Sequence, residues 1–327
     1  MRQIKYLSGV NNCGGRCIIK AHVEDGKITK LTTDEGCGSE DSPLLNSCIR
    51  GKHYLETFLG EDRLKYPLRR VGKRGDGVFE RISWDEALDI ISSEWIRIRD
   101  TYGVSSRFVT YATGVNGVME GNVLARRLLA LDGGFLERYN SYSSACTDIA
   151  TPYTYGTLYT GNSPEDWVNS KLIILFGHNP VETRFGTTLW YLKKAKNAGV
   201  KIVVIDPRYS DTAKGLADQW IGIRPGTDSA LIDGMAYVIY TENLYDKEFI
   251  DRFCIGFDTL HMPEGFENEE SVFEYLMGKR DGIEKTPEWA EAITGINRET
   301  IYSLAREYAT SKPSALIQGL GSQRHSN

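Results

Sequence analysis

No stretch of the 327-residue chain reaches the roughly 18–20 uninterrupted apolar residues that a bilayer-crossing helix needs; the longest apolar runs, such as Lys201 to Ile205, have the length of strands. The opening MRQIKYLSG has no charged segment followed by a long apolar one, so no secretory signal is read. Basic residues are not in excess: the formal net charge of -5 gives no electrostatic reason to expect a nucleic acid or an anionic lipid surface as partner. No repeat of solenoid length and no low-complexity tract interrupts the chain. Six cysteines are too few for a disulfide scaffold. With 41% hydrophobic and 25% charged residues, disorder as the main state is excluded and two or three globular domains are expected.

The cysteines are unevenly distributed. Cys13, Cys17, Cys37 and Cys48 fall within the first 48 positions. Two thiolates at close spacing plus one from a later loop suit an iron–sulfur cluster or zinc, and the glycines between Cys13 and Cys17 let backbone amides approach the sulfurs. Buried structural cysteines are the alternative. Residues 18–33 alternate apolar and polar about Asp25-Gly26, the pattern of a β-hairpin whose turn requires positive φ. Farther on, Ser83 followed three residues later by Glu86 forms a capping-box pattern, which predicts a helix from about Trp84 to Asp100.

From Arg107 the pattern becomes strand, glycine turn, helix. The clearest unit is KLIILFGHNP, a buried strand, then TTLWYLKKAKNAG, a helix closed by glycine, then KIVVIDPR, a second strand. This is a right-handed βαβ of Rossmann-like kind. Ligands of open α/β sheets bind beyond the carboxyl ends of the strands, so Gly177, His178, Asn179 and Pro180 are expected to line one crevice with Asp206, Pro207 and Arg208. A further strand, a Pro-Gly turn and a helix entered near Thr227 or Asp228 follow in IGIRPGTDSAL. The terminal SALIQGLGSQRHSN runs a strand pattern into a glycine turn, and the expectation is a polypeptide that stops before a closing element.

Taken together, NNCGGRC, the hairpin and NSCIRGK resemble the [4Fe–4S] segment of molybdopterin oxidoreductases, and specifically of the anaerobic dimethyl sulfoxide reductase branch. The resemblance continues in order through DRLKYPLRRVGKRGDGVFERISWDEA, YSSA, NSPEDWVNSKLIILFGHNPVETR, VVIDPRYSDTA, IRPGTDSAL and GSQRHSN. It implies an α/β fold: a small β-rich iron–sulfur domain over 1–60, an incomplete α/β molybdopterin domain from 61–150 and 314–327, and a Rossmann-like domain binding the guanine dinucleotide over 151–313.

The resemblance also implies roles for individual residues. Cys13, Cys17 and Cys48 would ligate a [4Fe–4S] cluster, but the family's first cysteine falls at Gly9, so the fourth ligand is open between Cys37 and a non-cysteine group, or the cluster is of another type. Arg50 corresponds to a basic residue between cluster and pterin, where a fixed cation stabilises added electron density. Ser143 takes the place of the protein ligand to molybdenum, a hard oxygen donor, with Ser144 and Cys146 as alternatives. Tyr111 takes the place of a tyrosine that donates a hydrogen bond to the departing substrate oxygen. Cofactor contacts fall on Gly177, His178, Asn179, Asp206, Arg208, Gly226, Asp228, Gln323 and Arg324: backbone amides for phosphate or pterin, Asp206 for ribose hydroxyls, Asp228 for guanine. His178 and His325 read as polar wall residues.

The cofactors so implied are Mo-bis(molybdopterin guanine dinucleotide) and the iron–sulfur cluster, and the activity is oxygen-atom transfer from an S-oxide or N-oxide in anaerobic respiration. The partners implied are a ferredoxin-like electron-transfer subunit and a membrane anchor subunit, placing the protein at a membrane through them, with the cytoplasm left open. Two alternatives stand beside this reading: a reductase or dehydroxylase of the same family with another substrate, such as selenate or an aromatic, and a non-catalytic truncated pseudo-subunit. A nicotinamide dehydrogenase is disfavoured because no Gly-x-Gly-x-x-Gly follows the first strand of the βαβ.

Overall fold

The computed structural model describes residues 1–8, 17–33, 45–110, 121–141, 143–158, 160–183 and 187–325. The chain divides into two compact units, residues 1–141 and 142–327.

The first unit opens with an antiparallel meander of β1 (Arg2–Ser8), β2 (Ile18–Glu24) and β3 (Lys27–Thr33). The hairpin expected from the sequence is there, its turn held by Asp25 and Gly26 at φ 47° and 79°, the pair of left-handed residues that a two-residue hairpin with right-handed twist selects. Alternation along β2 puts Ile19 and Ala21 inside, each 1% exposed. β1 was not anticipated from the sequence; it pairs with β2 from Arg2 opposite Glu24 to Ser8 opposite Ile18. Two short helices follow, α1 (Ile49–Lys52) and α2 (Tyr54–Leu59), then a ribbon of β4 (Leu68–Arg70) and β5 (Phe79–Arg81).

The next helix, α3, runs over Trp84–Tyr102, with Ser83 Oγ accepting from the Glu86 amide at 3.1 Å, so the expected cap is present and the helix continues two residues past the expected end. The strand expected after Arg107 is short among the described residues: β6 (Phe108–Val109) pairs in parallel with β7 (Leu136–Glu137), and α4 (Gly121–Leu131) lies between them in sequence. The buried Arg107 guanidinium secures this connection by donating to the Asp132 carboxylate and to the carbonyls of Asp132 and Gly134 at 2.8 and 2.7 Å. Hydrogen bonding to Arg107, with Arg99 adding to it, holds the Asp132 carboxyl below its ordinary range.

The second unit begins with α5 (Ala145–Tyr155) and is built on one parallel sheet of β8 (Leu172–Phe176), β9 (Lys201–Ile205), β10 (Gln219–Ile221) and β11 (Ser314–Gln318), in the order β10-β9-β8-β11. All five residues of β8 are buried because helices cover both faces of the sheet. Period-two alternation sends Leu172, Ile174 and Phe176 to one face with Val203, Ile205, Leu231 and Ile301, and Ile173 and Leu175 to the other with Leu192, Ile202 and Val204. Burying each of these large side chains contributes about 1.5–3 kcal/mol. After β8 come α6 (Pro180–Thr183) and α7 (Thr187–Asn197), and α8 (Asp211–Leu216) follows β9. The helix entered at the Pro-Gly turn is α9 (Asp228–Thr241); α10 (Lys247–Phe253), α11 (Val272–Leu276), α12 (Pro287–Thr294) and α13 (Arg298–Thr310) complete the unit.

One grouping made from the sequence needs correction. Residues 314–327 were assigned with 61–150, but β11 pairs in parallel with β8 from Ser314 opposite Leu172 to Gln318 opposite Phe176, so this segment is part of the same sheet as the βαβ. The two strands meet at their carboxyl ends through backbone. The Gly319 amide donates to Phe176 O at 2.7 Å, and a Cβ on Gly319 would lie 2.1 Å from Gly177 O and 2.7 Å from its carbonyl carbon. No side-chain rearrangement relieves a clash with main chain.

Gly319→Ala is therefore expected to lower the unfolding free energy by about 1–3 kcal/mol, seen as a lower denaturant midpoint at unchanged slope. A wild-type midpoint would show that the approach of the two glycines is not tight in solution.

Candidate active site at the carboxyl edge of the parallel sheet

Because the four strands are parallel, every loop leaving a carboxyl end emerges at one edge. After β8, Gly177 adopts φ 52° and its amide donates to Ile205 O at 2.9 Å. His178 and Asn179 follow, both half-buried. The Asn179 side chain is structural: its Oδ1 accepts from Thr212 Oγ1 at 2.6 Å, and the same hydroxyl accepts from the Val181 amide at 3.1 Å. Thr212, wholly buried, thus ties the β8 loop to α8. Sequence reasoning did not single out Thr212; the capping pattern Ser210-Asp211-Thr212-Ala213 was the available signal, and Ser210 Oγ does accept from the Ala213 amide at 3.3 Å.

After β9, Asp206 and Arg208 face separate tasks. Asp206 Oδ1 accepts from the Arg208 amide at 2.9 Å, and Asp206 O accepts from Trp220 Nε1 at 3.0 Å. Arg208 Nη2 donates to both carboxylate oxygens of Glu182 at 2.9 and 2.7 Å, and this hydrogen bonding lowers the pKa of Glu182 and raises that of Arg208. Glu182 is a second residue the sequence reading passed over. Both side chains are solvent-accessible, so the pair contributes little stability and Arg208 can exchange its partner for an anionic ligand.

After β10, Arg224-Pro225-Gly226-Thr227 makes a type II turn: Gly226 has φ 80° and the Thr227 amide donates to Arg224 O at 3.3 Å. Arg224 Nη1 is spent on the carbonyls of Ala292 and Ile293 at 2.9 and 3.1 Å, where it caps the end of α12. The turn delivers Asp228 to the first position of α9. Burial raises the pKa of Asp228; its own amide and His325 oppose that rise, and Asp206 adds to it. Asp206 and His325 thus both lie within electrostatic reach of Asp228 at this edge.

After β11, the chain passes Gly319 and Gly321 and enters a 3-10 turn, Ser322–Arg324. A cavity of about 230 Å3 opens here, with Phe176, Ile232 and Leu316 on its apolar side and Asp228, Ser229, Gln318, Ser322 and Gln323 on its polar side. That is smaller than the roughly 300–1,000 Å3 of a complete small-molecule pocket, so it suits one ring system of a larger ligand. A Cβ at Gly177 would approach Ser322 N to 3.5 Å, which shows how closely the β8 and β11 loops run.

The Ser143 loop is tied to the same edge. Ser143 O accepts from Gln323 Nε2 at 2.7 Å and from Arg324 Nε and Nη2 at 3.3 and 3.2 Å. Of the alternatives at that loop, Ser144 Oγ donates to Asp148 Oδ2 at 2.8 Å, and Cys146 is exposed on the first turn of α5. The structure therefore brings together Ser143, Gly177, Asp228, Gln323 and Arg324 in one unit.

His178, Asn179, Asp206, Arg208 and Gly226 share that edge through the β8, β9 and β10 loops, and Cys17, Cys48 and Arg50 belong to the first unit. In the first unit, the Ile18 amide next to Cys17 donates to Leu45 O at 2.8 Å, and Ile18 bridges Asn46, two residues before Cys48. Both cysteines are half-buried, while Arg50, in α1, is exposed. Cys13, Cys37, Gly9 and Tyr111 lie outside the described residues.

Residues 63–327 match the molybdopterin oxidoreductase family. The chain is 45% identical over 97% of its length to dimethyl sulfoxide reductase DmsA of Escherichia coli (strain K12) and covers 40% of that protein. It is 31% identical over 94% of its length to the dimethyl sulfoxide/trimethylamine N-oxide reductase of Rhodobacter capsulatus, covering 38% of it. Among solved structures, acetylene hydratase from Pelobacter acetylenicus superposes with a TM-score of 0.71 at 30% identity, over 95% of this chain and 39% of that one. The chain spans about two fifths of the length of the curated relatives it matches. It belongs to the molybdopterin oxidoreductase family, and membership implies a molybdenum–molybdopterin cofactor.

The raised pKa of Asp228 sets a pH signature. A carboxyl whose folded value stands above its ordinary 3.8 adds stability below 3.8 and loses it as pH climbs through the folded value. Asp228→Asn removes the buried charge, so the variant is expected to unfold at a higher temperature than wild type at pH 7 and to lose that advantage below the ordinary carboxylate range. Equal melting temperatures at both pH values would contradict the burial.

Proposed function

We propose that this molybdopterin oxidoreductase catalyses oxygen-atom transfer from an S-oxide or N-oxide, using Mo-bis(molybdopterin guanine dinucleotide) and electrons delivered through an iron–sulfur cluster. The observation that carries this reading is the tethering of Ser143, the serine that stands where the family places its metal ligand, to the same strand-end edge that presents Gly177 and Asp228. Identity of 45% to a dimethyl sulfoxide reductase, against 30% to the hydratase, supports the reductase chemistry.

The residues present fit the group. The lining of the strand-end cavity combines apolar Phe176, Ile232 and Leu316 with the Asp228 carboxylate, as a base that is flat, apolar and edged with N–H donors requires. When bound, the molybdenum–pterin group would supply a metal able to take the oxygen atom by giving up two electrons, and to regain two electrons with two protons as that oxygen leaves as water. The protein's part is to bind and orient. The Gly177 amide, expected from the sequence to meet the cofactor, is instead held by Ile205 O, which leaves the amides of His178 and Asn179 for phosphate or pterin; the Asp206 carboxylate keeps Oδ2 for a ribose hydroxyl, Oδ1 being held by the Arg208 amide. Asp228 accepts from guanine N1–H and N2–H, a pairing that adenine cannot reproduce. Gly226 sets the turn that aims Asp228, and Arg208 offers its guanidinium to phosphate on leaving Glu182. Ser143 Oγ is the hard oxygen donor to the metal, and Tyr111 donates a hydrogen bond to the substrate oxygen as charge grows on it.

In the first unit, Cys13, Cys17 and Cys48 hold a [4Fe–4S] cluster with Cys37 as the candidate fourth ligand, and Arg50 stabilises added electron density beside it. A ferredoxin-like subunit supplies the electrons, and a membrane anchor subunit places the assembly at a membrane. Among the described residues no helix is long and apolar enough to cross one.

Ser143→Ala is expected to retain molybdenum while losing at least about a hundredfold in turnover with dimethyl sulfoxide, the scale of one lost electrostatic contact to the reacting centre, with a changed Mo(V) EPR spectrum. Ser144→Ala and Cys146→Ser are expected to keep the wild-type spectrum; if either of these changes it instead of Ser143→Ala, the ligand assignment moves to that residue.

A further inference from the structure

We infer that Gln323 and Arg324 are positioning residues: together they clasp the Ser143 loop to the first turn of α5 and so fix the direction in which Ser143 presents its oxygen. The inference rests on the reading of Ser143 as metal ligand given above, and it assigns Gln323 a task different from contact with the cofactor.

The start of α5 shows why a clasp is needed. A helix leaves its first amides without partners inside the helix, and the N-cap side chain ordinarily accepts from one of them. Here the N-cap, Ser144, has φ -143° and ψ 11° and makes no side-chain cap; its hydroxyl donates to Asp148 instead. The amide of Thr147, at the third helical position, is satisfied from the far end of the chain: it donates to Gln323 Oε1 at 2.9 Å across a separation of 176 residues. The other end of the same side-chain amide, Nε2, donates to Ser143 O at 2.7 Å. One planar group therefore bridges the residue before the cap and the residue three beyond it. Its orientation is unambiguous, since turning the amide over would set oxygen against the Ser143 carbonyl and nitrogen against the Thr147 N–H.

Arg324 reinforces the clasp by donating Nε and Nη2 to the same carbonyl oxygen. Gln323 belongs to the 3-10 turn after β11, which follows the Gly319 amide's hydrogen bond to Phe176 O by three residues. Ser143 thus takes its position from the sheet edge, not from the helix it precedes. A serine ligand has one donor oxygen and a short side chain, so its bond direction follows its backbone; a carbonyl fixed by three donors is the means of setting that direction.

The test uses two variants and two readouts. Gln323→Leu removes both bonds. Gln323→Glu is nearly isosteric and keeps an acceptor for Thr147, but places a carboxylate oxygen against Ser143 O. In hydrogen–deuterium exchange of the full chain without cofactor, Gln323→Leu is expected to speed exchange across residues 144–148 by about tenfold, the scale of one lost hydrogen bond, and Gln323→Glu, which keeps the Thr147 acceptor, to speed it less, with α9 and α13 unchanged in both. In cofactor-loaded protein, the Mo(V) EPR signal is expected to broaden or split into several species in both variants, a result a purely structural residue would not give. Unchanged exchange at 144–148 in both variants would overturn the clasp; faster exchange with a wild-type Mo(V) spectrum would overturn its positioning role. Ser143→Ala with a wild-type spectrum would overturn the ligand assignment separately, leaving the exchange result to decide on the clasp.

Discussion

The main-chain contact between Gly319 and Gly177 is the constraint from which the site is assembled. Parallel pairing of β8 with β11 sends both chains out at the same edge, but strands alone do not bring their loops into contact. It is the absence of a side chain at Gly319 that lets its amide reach Phe176 O while its Cα lies against the Gly177 carbonyl, beside which the turn at Ser322–Arg324 follows. From that turn Gln323 and Arg324 reach the Ser143 loop, and between that turn and α9 lies the cavity with Asp228. Backbone approach is sequence-specific only in forbidding Cβ atoms, which is why Gly319 carries so much of the arrangement.

Polar side chains at the edge fall into two classes that look alike in sequence. Asn179, Thr212 and Arg224 spend their hydrogen-bonding capacity on neighbouring loops and helix ends. Asp228 and Asp206 are the carboxylates proposed to meet the cofactor, and burial raises the pKa of Asp228. A partly buried carboxylate with a raised pKa in a cleft is a candidate for a binding role. Arg208 stands between the classes, paired with Glu182 in an exposed bridge that is weak enough to give way.

Much of this was legible in the sequence wherever the signal was local. LIILF and IVVI, five and four consecutive apolar residues, are buried strands because a sheet covered on both faces takes such unbroken runs. Asp25-Gly26 marked its hairpin and Ser83 with Glu86 marked α3, since both are short-range backbone requirements. What the residues did not reveal depended on distant partners. β1 has the alternation of a strand but nothing in its own residues names β2 as its neighbour, and β11 was grouped with the wrong segment because its pairing with β8 spans more than a hundred residues. The role of Gln323 was hidden for the same reason: GSQRH reads as a polar ligand loop until its amide is seen to join Ser143 and Thr147.

Assembly of a pterin guanine dinucleotide on this edge is the central claim, and metal and nucleotide analysis of anaerobically purified, cofactor-supplied protein tests it most directly. Molybdenum, and guanine nucleotide released in fixed proportion to it on acid hydrolysis, together with iron and a reduced-cluster EPR signal, is the predicted result. Well-folded protein carrying neither molybdenum nor guanine nucleotide would contradict the account and leave the strand-end edge as a scaffold without its cofactor.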